Sequence, residues 1–388
     1  MLKLALSFSL LVVLGSNGFS ADPLTKLLDD SPTKKGELEP LTPEAEKTVQ
    51  ELRASLAKDS EALAMLENIL TGSQLGPEDG WFPLAKAQTR YDWGYFSKRY
   101  DSDSDGKISA QEFRGSSQDF ARVDRDGSGR IEEIDFDWSK HSLAPSPGMN
   151  LFFMGDRDGN GKLTHDEFQG LFQQLAGEDS DFIALDDVRD QFPQPSRSSA
   201  TKRPDSPSLS TLIAGLKSQE IGSLQPGPNL EETAPDFTLK SLDGQDVKLS
   251  QVIGPKPVVL IFGNFTCGPF RSQSGNIEKL YERYQDRAHF FLVYVREAHP
   301  SDGWWMQSNQ RVGIDLVQPK DTDERRAVAL TCRTRLKLDI PFLVDSVDDT
   351  VGSTYSGMPN RLYLIDDQGK IAFKNGRGPF GFHPRQLE

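Results

Sequence analysis

Residues 258–272 read VVLIFGNFTCGPFRS, and this stretch sets the fold of the C-terminal half. Its first five residues, Val258 to Phe262, form a short continuous apolar run, the pattern of a central strand buried on both faces. Thr266, Cys267, Gly268 and Pro269 then lead into a helical stretch. Cys267 is therefore expected at or near a helix N-terminus, where a thiol pKa falls and the thiolate is favoured. Strand, Thr-Cys-Gly-Pro, helix is the layout of thiol redox sites. Phe270 stands where a C-x-x-C motif would place its second cysteine, so no redox cycle closes within that motif.

Working outward, APDFTL at 234–239, HFFLVYV at 289–295 and RLYLID at 361–366 read as further strands, with an Asp-Gly turn in SLDGQ at 241–245. Helical patterns lie between them, NIEKLYERYQ at 276–285 and DERRAVALTCRTRLK at 323–337. Strands alternating with helices predict a parallel or mixed sheet covered on both sides. The second of the chain's two cysteines, Cys332, falls on the latter helix, as a resolving thiol for Cys267 or as a packed core residue. Upstream, PQPSRSSATKRPDSPS at 193–208 is dense in proline and serine and reads as linker, with a short helix expected from Leu209.

The N-terminal half carries a different signal. DSDSDGKISAQE supplies Asp101, Asp103, Asp105, Lys107 and Glu112, and DRDGNGKLTHDE supplies Asp156, Asp158, Asn160, Lys162 and Glu167. Both satisfy D-x-[DN]-x-[DN]-G-x5-E in full. A hard Ca²⁺ ion takes six to eight oxygens: side chains at the first, third and fifth positions, a backbone carbonyl at the seventh, and a bidentate acid at the twelfth. Lys107 and Lys162 fit because only their carbonyls are used. A third loop, DRDGSGRIEEID, offers Asp124, Asp126, Ser128, Arg130 and Asp135; its shorter closing acid predicts weaker or more Mg²⁺-tolerant binding. A fourth, from Ala176 to Asp187, lacks the first acid and the turn glycine, and is expected to pair without an ion. Four such units predict two paired lobes.

The formal charge of −14 argues against nucleic-acid binding, which needs a basic face. An early lysine and an apolar run from Leu4 to Leu14, too short to span a bilayer, predict a signal peptide and export to a periplasmic or extracellular space. No other stretch is long and apolar enough to cross a membrane. The expected organisation is a signal peptide at 1–21, a polar and helical segment at 22–80, an EF-hand module at 81–192, a linker at 193–229, and a thiol domain at 230–388. Two domains result, an all-α EF-hand module followed by an α/β domain.

FGNFTCGPF at 262–270, YVREAHPSDGW at 294–304, NRLYLI at 360–365 and GRGPFGF at 376–382 together resemble the iodothyronine deiodinase family. The resemblance implies a thioredoxin-like fold and removal of iodide from aromatic rings, with Cys267 in the place of the family's selenocysteine. It implies roles in proton delivery and substrate contact for Glu297 and His299, which two-residue spacing at a strand end would put on one face. It also implies that Arg361 pairs a charged group of a small, halogenated aromatic substrate, and that an external thiol restores the cysteine. Pro319 stands where the family carries a second histidine. Two other readings remain open from the residues: thiol–disulfide exchange between Cys267 and Cys332, and a calcium-dependent binding module whose redox fold is inert.

Overall fold

The computed structural model describes residues 39–73, 75, 87–136, 147–177, 180–184, 187–188, 206–379 and 381–388. The expected signal segment at 1–21, linker residues 193–205 and part of the fourth loop lie outside them. No helix among the described residues is long and apolar enough to cross a membrane.

One mixed sheet organises the molecule. Its strands are β1 (Gln88–Thr89), β2 (Thr238–Ser241), β3 (Asp246–Lys248), β4 (Val258–Gly263), β5 (His289–Tyr294), β6 (Phe342–Val344), β7 (Arg361–Ile365) and β8 (Ile371–Lys374), in the order β1-β8-β7-β4-β5-β6-β2-β3. Every residue of β4 is buried, as its unbroken apolar run requires. β5 lies parallel to β4 in the register Val258↔His289, and β6 lies parallel to β5. Such parallel pairs need crossovers, and the helices Ser274–Tyr284 and Thr322–Leu336 supply them. β7 is antiparallel to β4, and β8 is antiparallel to β7. This is the mixed sheet that alternating strands and helices predict, in the thioredoxin-like arrangement that the family resemblance implies. Gly244, at φ 82°, closes the turn between β2 and β3, where the Asp-Gly pair placed it.

Helices Pro43–Ser55, Glu61–Leu70 and Leu209–Lys217 pack into a second core containing Val49, Leu52, Met65, Leu66, Leu212, Ile213 and Leu216. Thr42 caps the first helix through Ala45 N at 3.2 Å, with Pro43 just inside it. Ser60 and Ser208 cap the other two. The stretch 193–229, expected as linker, is thus built into a core from residue 208 onward, because the apolar stripe of Leu209, Leu212, Ile213 and Leu216 buries there. Burial of each such side chain contributes about 1.5–3 kcal/mol.

The N-terminal half is mainly helical, but the all-α expectation needs correction. β1, from residues just before the first acidic loop, pairs with β8 in the register Gln88↔Lys374. Ile108 and Ile131 form an antiparallel bridge between the first two acidic loops, closing one paired unit over Phe113 and Phe120. The Asp156–Glu167 loop follows helix Pro147–Gly155 and runs into helix His165–Ala176. Among the described residues, no bridge joins its Leu163 to the fourth loop.

Candidate thiol site and metal loops

Cys267 lies four residues beyond β4 and caps the five-residue helix Gly268–Ser272, with Pro269 in its first turn. Its Sγ accepts a hydrogen bond from Asn360 Nδ2 at 3.1 Å. Its backbone N–H donates to Asn264 Oδ1 at 3.0 Å. That same oxygen accepts from Ala298 N at 3.1 Å and Thr266 Oγ1 at 3.3 Å, while Asn264 Nδ2 donates to Pro359 O at 3.0 Å, beside the cis Met358–Pro359 peptide. Asn264 therefore ties three segments together at the thiol: the loop after β4, the loop after β5, and the entry to β7.

Glu297 is fully buried in the same knot. Its Oε2 accepts from Thr266 N at 2.8 Å and Thr266 Oγ1 at 2.7 Å, and its Oε1 accepts from the Tyr294 hydroxyl. Burial raises its pKa, favouring the protonated acid, against the pull of the Tyr294 and Thr266 bonds. His299 N–H donates to Thr266 Oγ1 at 3.0 Å, and His299 Nδ1 lies 3.0 Å from Trp304 O, so that nitrogen carries a proton. The ring stands edge-on to Trp304, with centroids 4.8 Å apart. The structure brings Cys267, Glu297 and His299 together through Thr266. It does so in a loop rather than at a strand end, because β5 stops at Tyr294.

A buried guanidinium completes this side. Arg271 donates to Phe265 O at 2.6 Å and to Asn309 Oδ1 at 2.8 Å, and Asn309 Nδ2 donates to Thr266 O at 2.9 Å. The carbonyls just before Cys267 are thereby held from behind. A lowered thiol pKa, expected from the helix N-terminus, is not what the geometry gives. Burial pushes the Cys267 thiol up to about 11, against the pull of Phe270 N–H, Arg271 and Asn360. A five-residue helix supplies little dipole, and Cys267 is only 1% exposed.

Cys332 is fully buried, burial also raises its pKa, and both cysteines are free thiols. Arg361 is turned away from Cys267. Its Nη2 lies 3.2 Å from Glu61 Oε1, its Nη1 donates to Pro226 O at 3.2 Å, and its Nε donates to Asn375 O at 3.3 Å. At 1% exposure Arg361 is sealed under helix Glu61–Leu70, and Arg377 Nε shares the same carboxylate at 2.7 Å. A cavity of about 250 Å³ lined by Asp236, Phe237, Asp345, Thr350 and Tyr355 touches none of the expected site residues. Sequence reasoning missed Asn264, Arg271, Asn309 and Asn360. Asn264 and Asn360 stand inside the segments that carry the family resemblance, but only the fold shows that they meet at the thiol.

The acidic loops are built on one plan. In each, the first aspartate, Asp101, Asp124 or Asp156, accepts from the backbone N–H groups of the fifth and sixth residues. The sixth residues, Gly106, Gly129 and Gly161, take φ of 81°, 80° and 75°, a region that favours glycine. The closing acids Glu112, Asp135 and Glu167 accept from the second residue and reach back to the ninth. Hydrogen bonds from Ser109 hold the Glu112 carboxyl down to about 2. Three groups, Asp101–Asp103–Asp105, Asp124–Asp126–Asp135 and Asp156–Asp158–Glu167, each bring their carboxylate oxygens within 4.8 Å of one another. Ser128 and Asn160 offer further side-chain oxygens, and Lys107, Arg130 and Lys162 offer carbonyls. This all-oxygen donor set fits a hard divalent cation such as Ca²⁺.

Comparison with known proteins agrees with this division. The family model for iodothyronine deiodinase matches residues 195–388, half of the chain, and the EF-hand model matches residues 98–115 and 151–172. Thyroxine 5-deiodinase of Gallus gallus is 30% identical over 172 residues, covering 44% of this chain and 62% of that protein. Type II iodothyronine deiodinase of Sus scrofa is 31% identical over 151 residues, covering 38% of this chain and 56% of that protein. The chain thus spans about three-fifths of the length of these relatives. Among solved structures, the thioredoxin domain of a thiol-disulfide oxidoreductase from Bacteroides vulgatus is 20% identical, covering 39% of this chain and 91% of that chain, with a TM-score of 0.29. With T-C-G-P-F at the end of a buried strand and the EAHPSDGW segment folded against it, the chain belongs to the iodothyronine deiodinase family.

Proposed function

We propose that this chain is a thiol-dependent reductive dehalogenase of a small halogenated aromatic, built together with calcium-binding EF-hands. The observation that carries the proposal is the knot in which Cys267 meets Asn360 and Asn264 while buried Glu297 holds the adjoining Thr266, in a chain of this family. In the proposed reaction the Cys267 thiolate attacks the halogen along the carbon–halogen axis. The sulfur–halogen bond forms, and the carbon–halogen pair passes to the ring carbon, which takes a proton from Glu297. A small external thiol then displaces halide from sulfur to give a mixed disulfide. A second thiol frees Cys267 and leaves with the first as a disulfide, so that two thiols are oxidised for each halide released.

Each residue has a chemical part. Asn360 donates to the sulfur and stabilises the charged form. Burial raises the Glu297 pKa, which favours the protonated form a general acid needs. His299, beside Trp304 at the edge of the knot, serves substrate contact. Arg361 is engaged by Glu61, which favours a substrate that does not depend on this arginine for recognition. Calcium on the EF-hand loops supplies positive charge that holds their converging carboxylates together. The proposal includes export, supported by the apolar run from Leu4 to Leu14.

The test is iodide release from iodinated phenols, thyroxine included, by the full chain with calcium and dithiothreitol, beside Cys267→Ser. Release that disappears in the variant supports the proposal. Equal release from both proteins removes Cys267 from the chemistry.

A further inference from the structure

The Asp156–Glu167 loop differs from the Asp101–Glu112 loop in what covers it. Asp101, Asp103 and Asp105 sit on an open surface, whereas Asp156 is 7% exposed and Asn160 2% exposed. The cover is the region that follows Cys267. The Ser274 hydroxyl, fully buried, donates to the backbone carbonyl of Asn160, the loop's fifth residue. A Cβ at Gly161 would overlap the carbonyl oxygen of Arg271 and crowd Ser272, and a Cβ at Gly275 would come within 2.6 Å of Gly161 O. Gly159 packs in the same way on Val312, and Lys162 Nζ donates to Lys337 O at 2.7 Å. Glycines on both sides of the contact let the two backbones approach this closely.

Arg271 is the hinge between loop and thiol. Its carbonyl is packed against Gly161, while its guanidinium holds Phe265 O directly and Thr266 O through Asn309. The guanidinium also lies within electrostatic reach of Cys267, Cys332, Glu297 and Asp156. On the thiol's own side, the charged groups facing Cys267 are Arg271 and Glu297.

We infer that the Asp156–Glu167 loop is a positioning element for the nucleophile: with calcium bound it fixes the helix that Cys267 caps and, through Arg271, the segment that presents the sulfur. This rests on the reading that the loop binds calcium. Without the ion, three converging carboxylates repel and favour a more open loop, which withdraws the acceptor of Ser274 and the support under Arg271. With it, the charge of Asp156 is neutralised, and Arg271 is left to stabilise the Cys267 thiolate. Calcium therefore both steadies the sulfur and favours its reactive form. The coupling is between two sites with a shared packed contact, and it works in both directions.

The test uses the full chain and reads two quantities separately. Calorimetric titration with calcium measures binding. Alkylation by iodoacetamide, followed by mass spectrometry of the Cys267 and Cys332 peptides over a range of pH, measures thiol reactivity. Calcium is expected to speed Cys267 alkylation by roughly five-fold, the lower end of usual site-to-site coupling, and to move its pH curve downward. Glu167→Gln should abolish the response. Ser274→Ala should keep calcium binding but lose most of it. Calcium binding that leaves the Cys267 rate and pH curve unchanged overturns the inference, as does a full response in Ser274→Ala. A chain that takes up no calcium overturns the calcium reading itself, and the titration distinguishes that failure from the others.

Discussion

Asn360 and Arg361 are neighbours in the chain, both are buried, and they face two different environments. Asn360 meets Cys267 in a network made mostly of neutral groups, with Glu297 as its carboxyl. Arg361 meets Glu61 in a cluster of charges that includes Arg377 and Lys374. One side holds a reactive sulfur in place without committing it to the thiolate. The other neutralises Arg361, which the family resemblance had assigned to substrate, together with Arg377. The contrast shows that an arginine in a family position need not face the reaction, because a helix from elsewhere in the chain can supply its partner.

The largest expected effect breaks the charged side. Glu61→Ala leaves Arg361 and Arg377 buried without their carboxylate. Unfolding by urea should show a loss of about 3 kcal/mol, the low end for breaking a buried ion pair, because Glu61 is itself partly exposed. An unchanged midpoint would mean that the cluster is no anchor. On the thiol side, Glu297→Gln keeps the shape but removes the acid, and should slow iodide release by about a hundred-fold, the usual reach of general acid catalysis. Equal rates would place the proton source elsewhere.

The thiol's protonation gives a third test. A pKa raised to about 11 means that the sulfur is protonated at neutral pH and gains reactivity as pH rises. In the ligand-free protein, Cys267 alkylation should climb roughly ten-fold per pH unit between 7 and 9, with no plateau in that range. A plateau near neutral pH would show a thiolate already formed. Asn360→Leu should move this curve further up and slow alkylation several-fold at fixed pH, since its side-chain hydrogen bond to the sulfur is lost. The smallest effect is expected from Cys332→Ala, which should leave iodide release within about two-fold if the regenerating thiol is external. A complete loss would favour exchange between the two cysteines.

Much of this was legible in the sequence where the signal is local. The β4 strand, the cysteine after it and the acidic loops are each specified within a dozen or so residues, by an apolar run or by ligand spacing. What was not legible depends on distant packing. The Arg361 partner lies 300 residues away along the chain. The helix Leu209–Lys217 carries an apolar stripe whose use is set by helices near the N-terminus. The Cys267 pKa runs opposite to the expectation from a helix N-terminus because burial outweighs a single turn of helix. The seating of Gly161 on Arg271 has no counterpart in either motif alone.

The most direct measurement is a single-turnover experiment. The full chain, reduced and freed of small thiols, is mixed with excess iodinated phenol, and iodide release is followed together with the mass of the Cys267 peptide. A nucleophilic Cys267 takes up no more than one iodine per chain, on that peptide alone, and iodide appears only when dithiothreitol is added. Iodide release that continues without thiol, or that persists undiminished in Cys267→Ser, would contradict a cysteine-centred dehalogenase.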